Sequence, residues 1–473
     1  MNTKLLRQKI LDLAIRGKLT QQLKSDGNTA DLLKEISSAC HPERSAKGAK
    51  SKDLKQIIPL DKSEAPFEIP ANWEWVRLGD VASDFQYGSA EKSQVEGKVA
   101  VLRMGNINRQ GQIDYGDLVY TSNDAEIAKY LLNKNDVLFN RTNSPEWVGK
   151  TAIYKGEIPA IYAGYIIRIR PHFNSDYLNY LMCSDYERNW SKEVKTDGVH
   201  QSNINAQKLI AFAIPLPPLA EQQRIVAKIE EAFAEIEAIE KNKELLKTHI
   251  KQTRQKILDL AIHGKLVPQN KSDEPASVLL ERITRDNPHY EKLTDVPFEI
   301  PNSWEWVKLG DVCIFFNGFA FNSKKFETEG IPIIRISNIG YGSVDLLNCV
   351  YSKDTLGSNF EVVKGDLLIA MSGATTGKMG IYKDDQKAYL NQRVGNIKVK
   401  DENVLTHSYR DLFLQSQGEE ILAQAYGGAQ PNISSKAICD MYFPLPPLAE
   451  QKRIVNKIEE IFASLNEISL HLV

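Results

Sequence analysis

Residues 215–233 are Pro215-Leu-Pro-Pro-Leu-Ala-Glu-Gln-Gln-Arg-Ile-Val-Ala-Lys-Ile-Glu-Glu-Ala-Phe233, and residues 444–462 repeat them with three substitutions. Two further segments are duplicated: residues 7–19 recur at 254–266, and residues 66–81 recur at 297–312. Internal repeats constrain the architecture more strongly than any other sequence feature. The chain is therefore predicted to contain one module twice.

The spacing of the repeats predicts a cyclic arrangement. The copies of Pro-Leu-Pro-Pro are offset by 229 residues, so residue 473 corresponds to residue 244. The copies of Arg-Gln-Lys are offset by 247, so residue 1 corresponds to residue 248. Because only residues 245–247 lack a counterpart, we predict a pseudo-twofold ring of two modules that is interrupted within a connector.

Residues 219–266 are predicted to form one long helix. Apolar residues recur at spacings of three and four with one phase slip, at Val226, Ile229, Phe233, Ile236, Ile239, Leu246, Ile250, Ile257 and Leu260. This coiled-coil pattern requires a partner helix, which residues 444–473 and 1–20 supply as antiparallel copies. Roughly 40 helical residues span about 60 Å, which suits a molecular ruler. A purely structural hairpin is the alternative.

Between the helical segments, short β-type runs and helical patches predict two mixed α/β blocks, so the fold class is α+β. Proline residues precede each long helix, and Gly17 and Gly264 are expected to end the helical segments. The predicted segments are an N-terminal helix (1–20), a linker and low-complexity insertion (21–65), a first block (66–214), a central helix (215–266), a linker (267–296), a second block (297–443) and a C-terminal helix (444–473). Within the insertion, residues 37–55 are expected to be a mobile linker.

Bulk composition is that of an ordinary soluble protein, with 42% hydrophobic and 25% charged residues and a formal net charge of −2. We find no apolar run long enough to span a bilayer. The five cysteines are scattered and odd in number, which predicts reduced thiols in a cytoplasmic protein without a disulfide framework. The near-neutral charge gives no indication of nucleic-acid binding unless basic residues gather on one face.

Three apparent catalytic or metal-binding signals are weak. Residues 286–290, Asp-Asn-Pro-His-Tyr, differ from the methyltransferase motif Asn-Pro-Pro-Tyr and lie in a linker. Residues 373–378, Gly-Ala-Thr-Thr-Gly-Lys, are one residue short of a phosphate loop and are followed by Met379. The eight histidines lack metal-ligand spacing. We therefore predict a binding protein with no catalytic, cofactor or metal residues of its own.

Candidate ligand-binding residues emerge from comparing the two blocks. Arginine, asparagine and glutamine anchors recur, whereas the polar loops between them differ, as expected for one scaffold that recognises two different targets. On DNA, shared residues would contact phosphates and divergent loops would contact base edges. The candidates are Arg103, Asn106, Asn140, Arg141, Asn143, Lys150, Gln201, Asn203, Arg335, Asn338, Ser372, Thr375, Thr376, Lys378, Gln430 and Asn432. The alternative is that these side chains stabilise turns internally.

The duplicated aromatic segments have a structural interpretation. Phe67 to Pro70 with Trp73 and Trp75, and their copies around Trp304 and Trp306, are predicted to pack each block against the helices.

The segments that begin and end each block resemble the specificity subunit of Type I restriction-modification systems. The matching motifs are Pro-Phe-Glu-Ile-Pro-x-x-Trp-Glu-Trp-Val-x-Leu-Gly-Asp and Pro-Leu-Pro-Pro-Leu-Ala-Glu-Gln-x-Arg-Ile-Val-x-Lys-Ile-Glu, each present twice and in the same order. The resemblance covers nearly the whole chain. It implies two target-recognition domains, one for each half of an interrupted double-stranded DNA site, with helices that set the gap.

The resemblance also implies partners. Two methyltransferase subunits would carry S-adenosylmethionine and dock largely on the helices, and two ATP-dependent restriction and translocation subunits would use ATP and Mg²⁺. The chain itself would be non-catalytic and would have no membrane partner. A protein scaffold whose twin modules bind two partners without DNA is the alternative function.

Overall fold

The computed structural model describes residues 2–39, 57–199, 201–284, 292–340, 342–373, 375–425 and 431–472. The chain divides into two compact units, Met1–Asn242 (unit 1) and Lys243–Val473 (unit 2). The boundary falls inside the longest helix of the described chain, so each unit contains about half of that helix.

Unit 1 combines helices with short strands. The described helices are α1 (Thr3–Ile15), α2 (Thr29–Ala39), α3 (Leu78–Val81), α4 (Asp124–Tyr130), α5 (Ser175–Met182), α6 (Asp185–Val194), α7 (Ala206–Ile210) and α8 (Leu219–Ile262), the last of which continues into unit 2. The strands are β1 (Glu74–Arg77), β2 (Ala82–Tyr87), β3 (Val99–Leu102), β4 (Val119–Thr121), β5 (Val137–Asn140), β6 (Thr142–Asn143), β7 (Thr151–Ile153), β8 (Ala160–Tyr162), β9 (Ile166–Pro171), β10 (Thr196–Asp197), β11 (Ser202–Asn203) and β12 (Ala213–Leu216).

Unit 2 repeats this plan with local differences. Its helices are α9 (Ala276–Thr284), α10 (Leu309–Val312), α11 (His407–Ser416), α12 (Gly418–Ala425), α13 (Ser435–Cys439) and α14 (Leu448–Leu470). Its strands are β13 (Glu305–Lys308), β14 (Cys313–Asn317), β15 (Ile331–Ile334), β16 (Gly342–Ser343), β17 (Val350–Ser352), β18 (Glu361–Val362), β19 (Leu367–Ala370), β20 (Met379–Ile381), β21 (Ala388–Leu390), β22 (Val394–Val399) and β23 (Tyr442–Leu445).

The main sheets have the same order in the two units. Unit 1 contains a sheet β2-β9-β5-β7, and unit 2 contains the corresponding sheet β14-β22-β19-β20, extended by β16. A second sheet is β4-β3-β8 in unit 1 and β17-β15-β21-β18 in unit 2. Each unit has two hydrophobic clusters, one beneath the helices and one between the sheets. These features confirm the predicted α+β class and the internal repeat.

The beginning and end of each block pair as a two-stranded ribbon. β1 and β12 are antiparallel with Trp75 opposite Pro215, and β13 and β23 are antiparallel with Trp306 opposite Pro444. Each proline occupies a strand that pairs on one side only, where its missing N–H is tolerated. The duplicated opening and closing motifs thus meet in space and close each block.

The predicted long helix is present as α8, and in each unit it pairs antiparallel with a shorter helix. In unit 1, Arg7 of α1 donates to Glu240 at 3.1 Å and lies over the Phe233 ring. In unit 2, Arg254 donates to Asn466 of α14 at 2.6 Å and lies over the Phe462 ring. Arg7 and Arg254 occupy equivalent positions of the repeat, so both pairs have the same register.

Two parts of the helical prediction were wrong. Ile239 and Leu246 do not continue the buried seam but are 46% and 39% exposed. They lie on either side of the unit boundary, near the ends of the partner helices.

The segments predicted as linkers contain helices α2 and α9, which bury apolar residues such as Leu32, Leu33 and Leu279. The rest of the predicted mobile segment, residues 40–55, and the motif at 286–290 lie outside the described residues.

A tryptophan–glutamate contact joins each block to α8 or α14. The Trp73 indole donates to Glu221 at 2.8 Å, and the Trp304 indole donates to Glu450 at 3.0 Å. Gly17 and Gly264, both with φ +64°, end the preceding helical segments against Pro70 and Pro301, where a Cβ atom would lie 2.3 and 2.4 Å from the ring carbons. Both the glycine and aromatic predictions are confirmed here.

Within the described residues, no helix is long and apolar enough to cross a membrane, and no cluster of three or more potential metal ligands is found.

Candidate nucleic-acid interface

The predicted divergent loops begin and end with the same main-chain hydrogen bonds. We define the recognition loops as residues 140–150 in unit 1 and 370–378 in unit 2, of which Ala374 is not described. In unit 1, Asn140 N–H donates to the Lys150 carbonyl and Gly149 N–H donates back to Asn140. Ala370, Lys378 and Gly377 form the same two hydrogen bonds in unit 2, at 2.9 and 2.8 Å. The loops are therefore equivalent although their side chains differ.

The glutamine–asparagine segments lie beside these loops. Ile204 N–H donates to the Arg141 carbonyl at 2.9 Å, and Ile433 N–H donates to the Met371 carbonyl at 3.0 Å. In unit 1, Asn203 donates to Thr142 Oγ1 at 2.8 Å, and Gln201 is exposed. In unit 2, Asn432 is exposed, whereas Gln430 lies outside the described residues. The structure thus gathers candidates from distant parts of the sequence.

The shared asparagines Asn106 and Asn338 hold turns. Asn106 is 3% exposed, and its side-chain oxygen Oδ1 accepts a hydrogen bond from Arg103 N–H. Its side-chain nitrogen Nδ2 donates to the main-chain carbonyls of Asp114 and Asp117, both at 2.9 Å. Asn338 is equally buried and makes the equivalent contact with Arg335 N–H at 3.1 Å. Both asparagines therefore match the alternative interpretation, in which shared polar residues stabilise the scaffold.

The paired arginines next to these turns are also engaged. Arg103 donates to the Asp117 carboxylate at 2.9 Å, and Arg335 donates to the Asn348 carbonyl at 2.8 Å. Arg103 nevertheless lines a cleft of unit 1, and its side chain is 38% exposed.

Lys150 connects the recognition loop of unit 1 to the neighbouring turn by hydrogen bonds. Its ammonium donates to the carbonyls of Met104 and Ile107, at 2.9 and 2.5 Å, and lies 5.3 Å from the centre of the Trp147 ring. Burial, followed by repulsion from Arg109, lowers the pKa of Lys150. The ammonium therefore serves the loop conformation, while Trp147 remains 46% exposed at the loop surface.

The hydroxyl candidates of unit 2 are mostly turned inward. Thr376 is 4% exposed and donates to the carbonyls of Gly373 and Pro431. Thr375 donates to Ile336 at 3.4 Å, and Ser372 forms an antiparallel bridge with Asn432. These contacts show that Ser372, Thr375 and Thr376 stabilise a turn rather than line a phosphate loop.

Asn140 and Asn143 differ in exposure. Asn140 is fully buried, and its side-chain amide has no hydrogen-bond partner among the described residues. Asn143 is partly exposed near the start of the loop, and its side-chain oxygen Oδ1 accepts a hydrogen bond from Ser144 N–H at 2.8 Å. Asn143 is thus the more accessible of the two.

Sequence reasoning missed the aromatic side chains that surround Arg141. The Arg141 guanidinium lies 4.7 Å from the centre of the Tyr87 ring, and Tyr165 is 48% exposed beside it. Arg141 and Tyr165 line a cleft of about 700 Å³, together with Arg103, Lys92 and Ser93. Arginine and exposed aromatic rings are the side chains that contact bases most effectively. Tyrosines at strand ends could have been singled out on that ground.

The two units therefore form a duplicated α+β binding protein in which one scaffold presents two different surfaces. Residues 70–247 and 301–471 match the family model described as the Type I restriction modification DNA specificity domain. These two stretches make up most of the chain, which belongs to this family.

Similar proteins agree with this assignment. The chain is 27% identical to the Type I restriction enzyme EcoAI specificity subunit of Escherichia coli, over 98% of this chain and 90% of that protein. It is 28% identical to the putative MjaX specificity subunit of Methanocaldococcus jannaschii, over 83% of this chain and 88% of that protein. The scaffold alternative without DNA has no support among these relatives.

The fold is also similar to that of a solved structure, the HsdS subunit from Thermoanaerobacter tengcongensis. The TM-score is 0.57 at 19% identity, and the match covers 87% of this chain and 94% of the other. A chain from a structure of the type I R-M system gives a TM-score of 0.58 at 20% identity, over 86% and 94% of the two chains.

Proposed function

We propose that this chain is the non-catalytic specificity subunit of a Type I restriction-modification complex, in which each unit recognises one half of an interrupted DNA site. The observation that carries the proposal is the recognition-loop pair, which repeats the same main-chain hydrogen bonds with different side chains. One scaffold with two side-chain sets suits two unlike half-sites.

Within this proposal, residues 66–214 and 297–443 are the target-recognition domains. The helical segments 215–266, 444–473 and 1–20 set the gap between the half-sites and dock the partners. Among the candidate residues of unit 1, Gln201 is exposed, and the partly exposed ones are Arg103, Arg141, Asn143, Lys150 and Asn203. In unit 2, Asn432 is accessible, and Gln430 remains a candidate from the sequence alone.

The partners in the proposal are two methyltransferase subunits and two ATP-dependent restriction subunits, which act with this chain in the cytoplasm. Two equivalent helix pairs, with Arg7 and Arg254 in matching contacts, support two equivalent docking faces. S-Adenosylmethionine, ATP and Mg²⁺ would all be bound by the partners.

The test is single-molecule sequencing of host DNA for methyladenine, with and without the gene for this chain. We expect a two-part motif with an unspecified gap to disappear on deletion and to return when the gene is restored. Partner expression is verified in both strains. If the complete complex is present and no motif depends on this chain, the proposal is wrong.

A further inference from the structure

Main-chain contacts beside the unit 1 cleft are repeated at the corresponding positions of unit 2. Gly88 N–H donates to the Ile166 carbonyl at 3.2 Å, and Gly318 N–H donates to the Val394 carbonyl at 3.1 Å. A Cβ atom on Gly88 or Gly318 would lie 2.2 or 1.9 Å from a carbonyl oxygen of the facing segment. Close backbone approach therefore fixes these positions in both units.

A second pair of main-chain hydrogen bonds extends the correspondence to the recognition loop and the segment opposite it. Arg141 N–H donates to the Tyr165 carbonyl at 3.0 Å, and Met371 N–H donates to the Arg393 carbonyl at 2.9 Å. Position 141 thus corresponds to 371, and position 165 corresponds to 393. The arginine has changed places: unit 1 carries it on the loop, and unit 2 carries it on the segment opposite.

The Arg141 side chain is positioned by its neighbours, but its positive charge has no carboxylate partner among the described residues. Its guanidinium lies over the Tyr87 ring and donates one N–H to the Gly164 carbonyl at 3.4 Å. No carboxylate forms an ion pair with it among the described residues. A stacked guanidinium loses little conformational freedom on binding, so it is preorganised for a bidentate contact.

Arg393 occupies a different environment. It is exposed, and no side-chain hydrogen bond, ion pair or ring contact involves it within the part of unit 2 that the structure describes. Met371 opposite is 9% exposed. Phe319, which corresponds to Ser89, is 37% exposed and packs 5.0 and 5.3 Å from the rings of Phe321 and Phe360. Unit 2 therefore presents an exposed arginine at the position equivalent to Tyr165, with a buried methionine at the position equivalent to Arg141.

We propose that Arg141 and Arg393 are specificity-determining residues, each of which donates to a base edge in the half-site of its own unit. This inference rests on the proposed function. Guanine is the expected base, because its O6 and N7 atoms accept the two donors of one guanidinium. Since the two arginines occupy non-equivalent positions of the repeated scaffold, the guanine is expected at a different place in each half-site.

The experiment exchanges each residue for its counterpart. Arg393→Tyr and Arg141→Met each introduce the side chain that the other unit accommodates at the same position. The complete complex carrying each variant is incubated with a pool of double-stranded DNA with randomised sequence, and the bound fraction is sequenced. We expect the preference for one guanine to fall roughly 5- to 150-fold, in one half-site only.

Controls separate the possible outcomes. Arg282→Met removes an exposed arginine on α9 that pairs with Glu274, and it should leave the bound sequences unchanged. Arg393→Lys keeps the charge but lacks the bidentate fork, so it should weaken the same guanine preference even if Arg393→Tyr does not fold.

An unchanged sequence preference overturns the inference. So does a uniform loss of affinity for all sequences with a shallower salt dependence, because that result identifies a phosphate contact. If the wild-type complex selects no two-part sequence at all, the proposed function itself is wrong, which is a distinct result.

Discussion

Glu187 places an ionisable group in the interior of unit 1, next to the recognition loop. It is 2% exposed and accepts a hydrogen bond from Ser191 at 2.5 Å. Gly149 of the loop, with φ +89°, passes so close that a Cβ atom there would lie 2.8 Å from the carboxylate. Burial raises the pKa of Glu187 to about 8, against the opposing effects of the Ser191 hydrogen bond and of Arg188 and Arg109.

The raised pKa of Glu187 predicts a pH-dependent stability. Between its ordinary value of 4.5 and about 8, the folded protein holds a proton that the unfolded chain has released. This contribution to the free energy of unfolding is present at low pH and is lost as pH rises through about 8. Glu187→Gln should therefore have little effect near pH 5 and should raise the unfolding free energy by roughly 1 kcal/mol or more at pH 9.

Denaturant unfolding of the full chain at the two pH values measures this difference. Glu237→Gln, on the exposed surface of α8, serves as the matched control and should change neither value. Equal stabilisation of the Glu187 variant at both pH values would show that its effect does not come from titration.

Individual site residues were only partly predictable from the sequence. The repeat correctly identified two equivalent pairs, Arg103 with Arg335 and Asn106 with Asn338. The sequence alone does not distinguish an asparagine that stabilises a turn from one that contacts a base. Arg393 escaped notice because its equivalence to Tyr165 depends on a hydrogen bond to residue 371. That contact joins segments far apart in the chain.

At the scale of elements, periodicity predicted the long helix, and β-type runs predicted six of the 23 described strands: β3, β5, β9, β15, β19 and β22. Strong patterns such as those of α8, β9 and β22 predict the element correctly because a repeating apolar face requires the same burial along its length. Helices α2 and α9 were missed because each is short and adjoins polar sequence. Their identification requires the neighbouring core that buries Leu32 and Leu279.

The length of α8 predicts the gap between the half-sites. Four helix-forming residues inserted near Lys241 would lengthen α8 by roughly 6 Å, at about 1.5 Å per residue. We expect the unspecified gap in the methylated motif to lengthen by about two base pairs, at about 3.4 Å each, with both half-sites unchanged.

The same four residues inserted after Gly156, in the exposed loop between β7 and β8 of unit 1, provide the control and should leave the gap unchanged. Methyladenine mapping of host DNA measures both insertions. A constant gap in an active complex with the α8 insertion would contradict the ruler proposal.

At the scale of the whole molecule, two units with separate cores predict modular recognition. The clusters of unit 1 and those of unit 2 are formed from different residues, so each block has its own packing. Replacing residues 66–214 by the matching block of a relative should change one half-site of the methylated motif. The other half-site and its methylation should remain as in the wild type.

Sequencing of methyladenine in strains with the chimeric and parental genes tests this expectation. The reciprocal replacement of residues 297–443 should change the opposite half-site. Alteration of both half-sites by either single replacement would show that the two blocks do not recognise DNA independently.

The hydrogen bonds that shape the recognition loops have an evolutionary consequence. They run between main-chain atoms, as in Arg141 to Tyr165 and Met371 to Arg393, so they persist when the side chains change. Mutations at the exposed positions 165 and 393 are therefore expected to cost little stability while they alter the bases that are preferred. Lineages carrying this chain could diversify their targets rapidly, because natural selection for folding and selection for a new target act on different atoms.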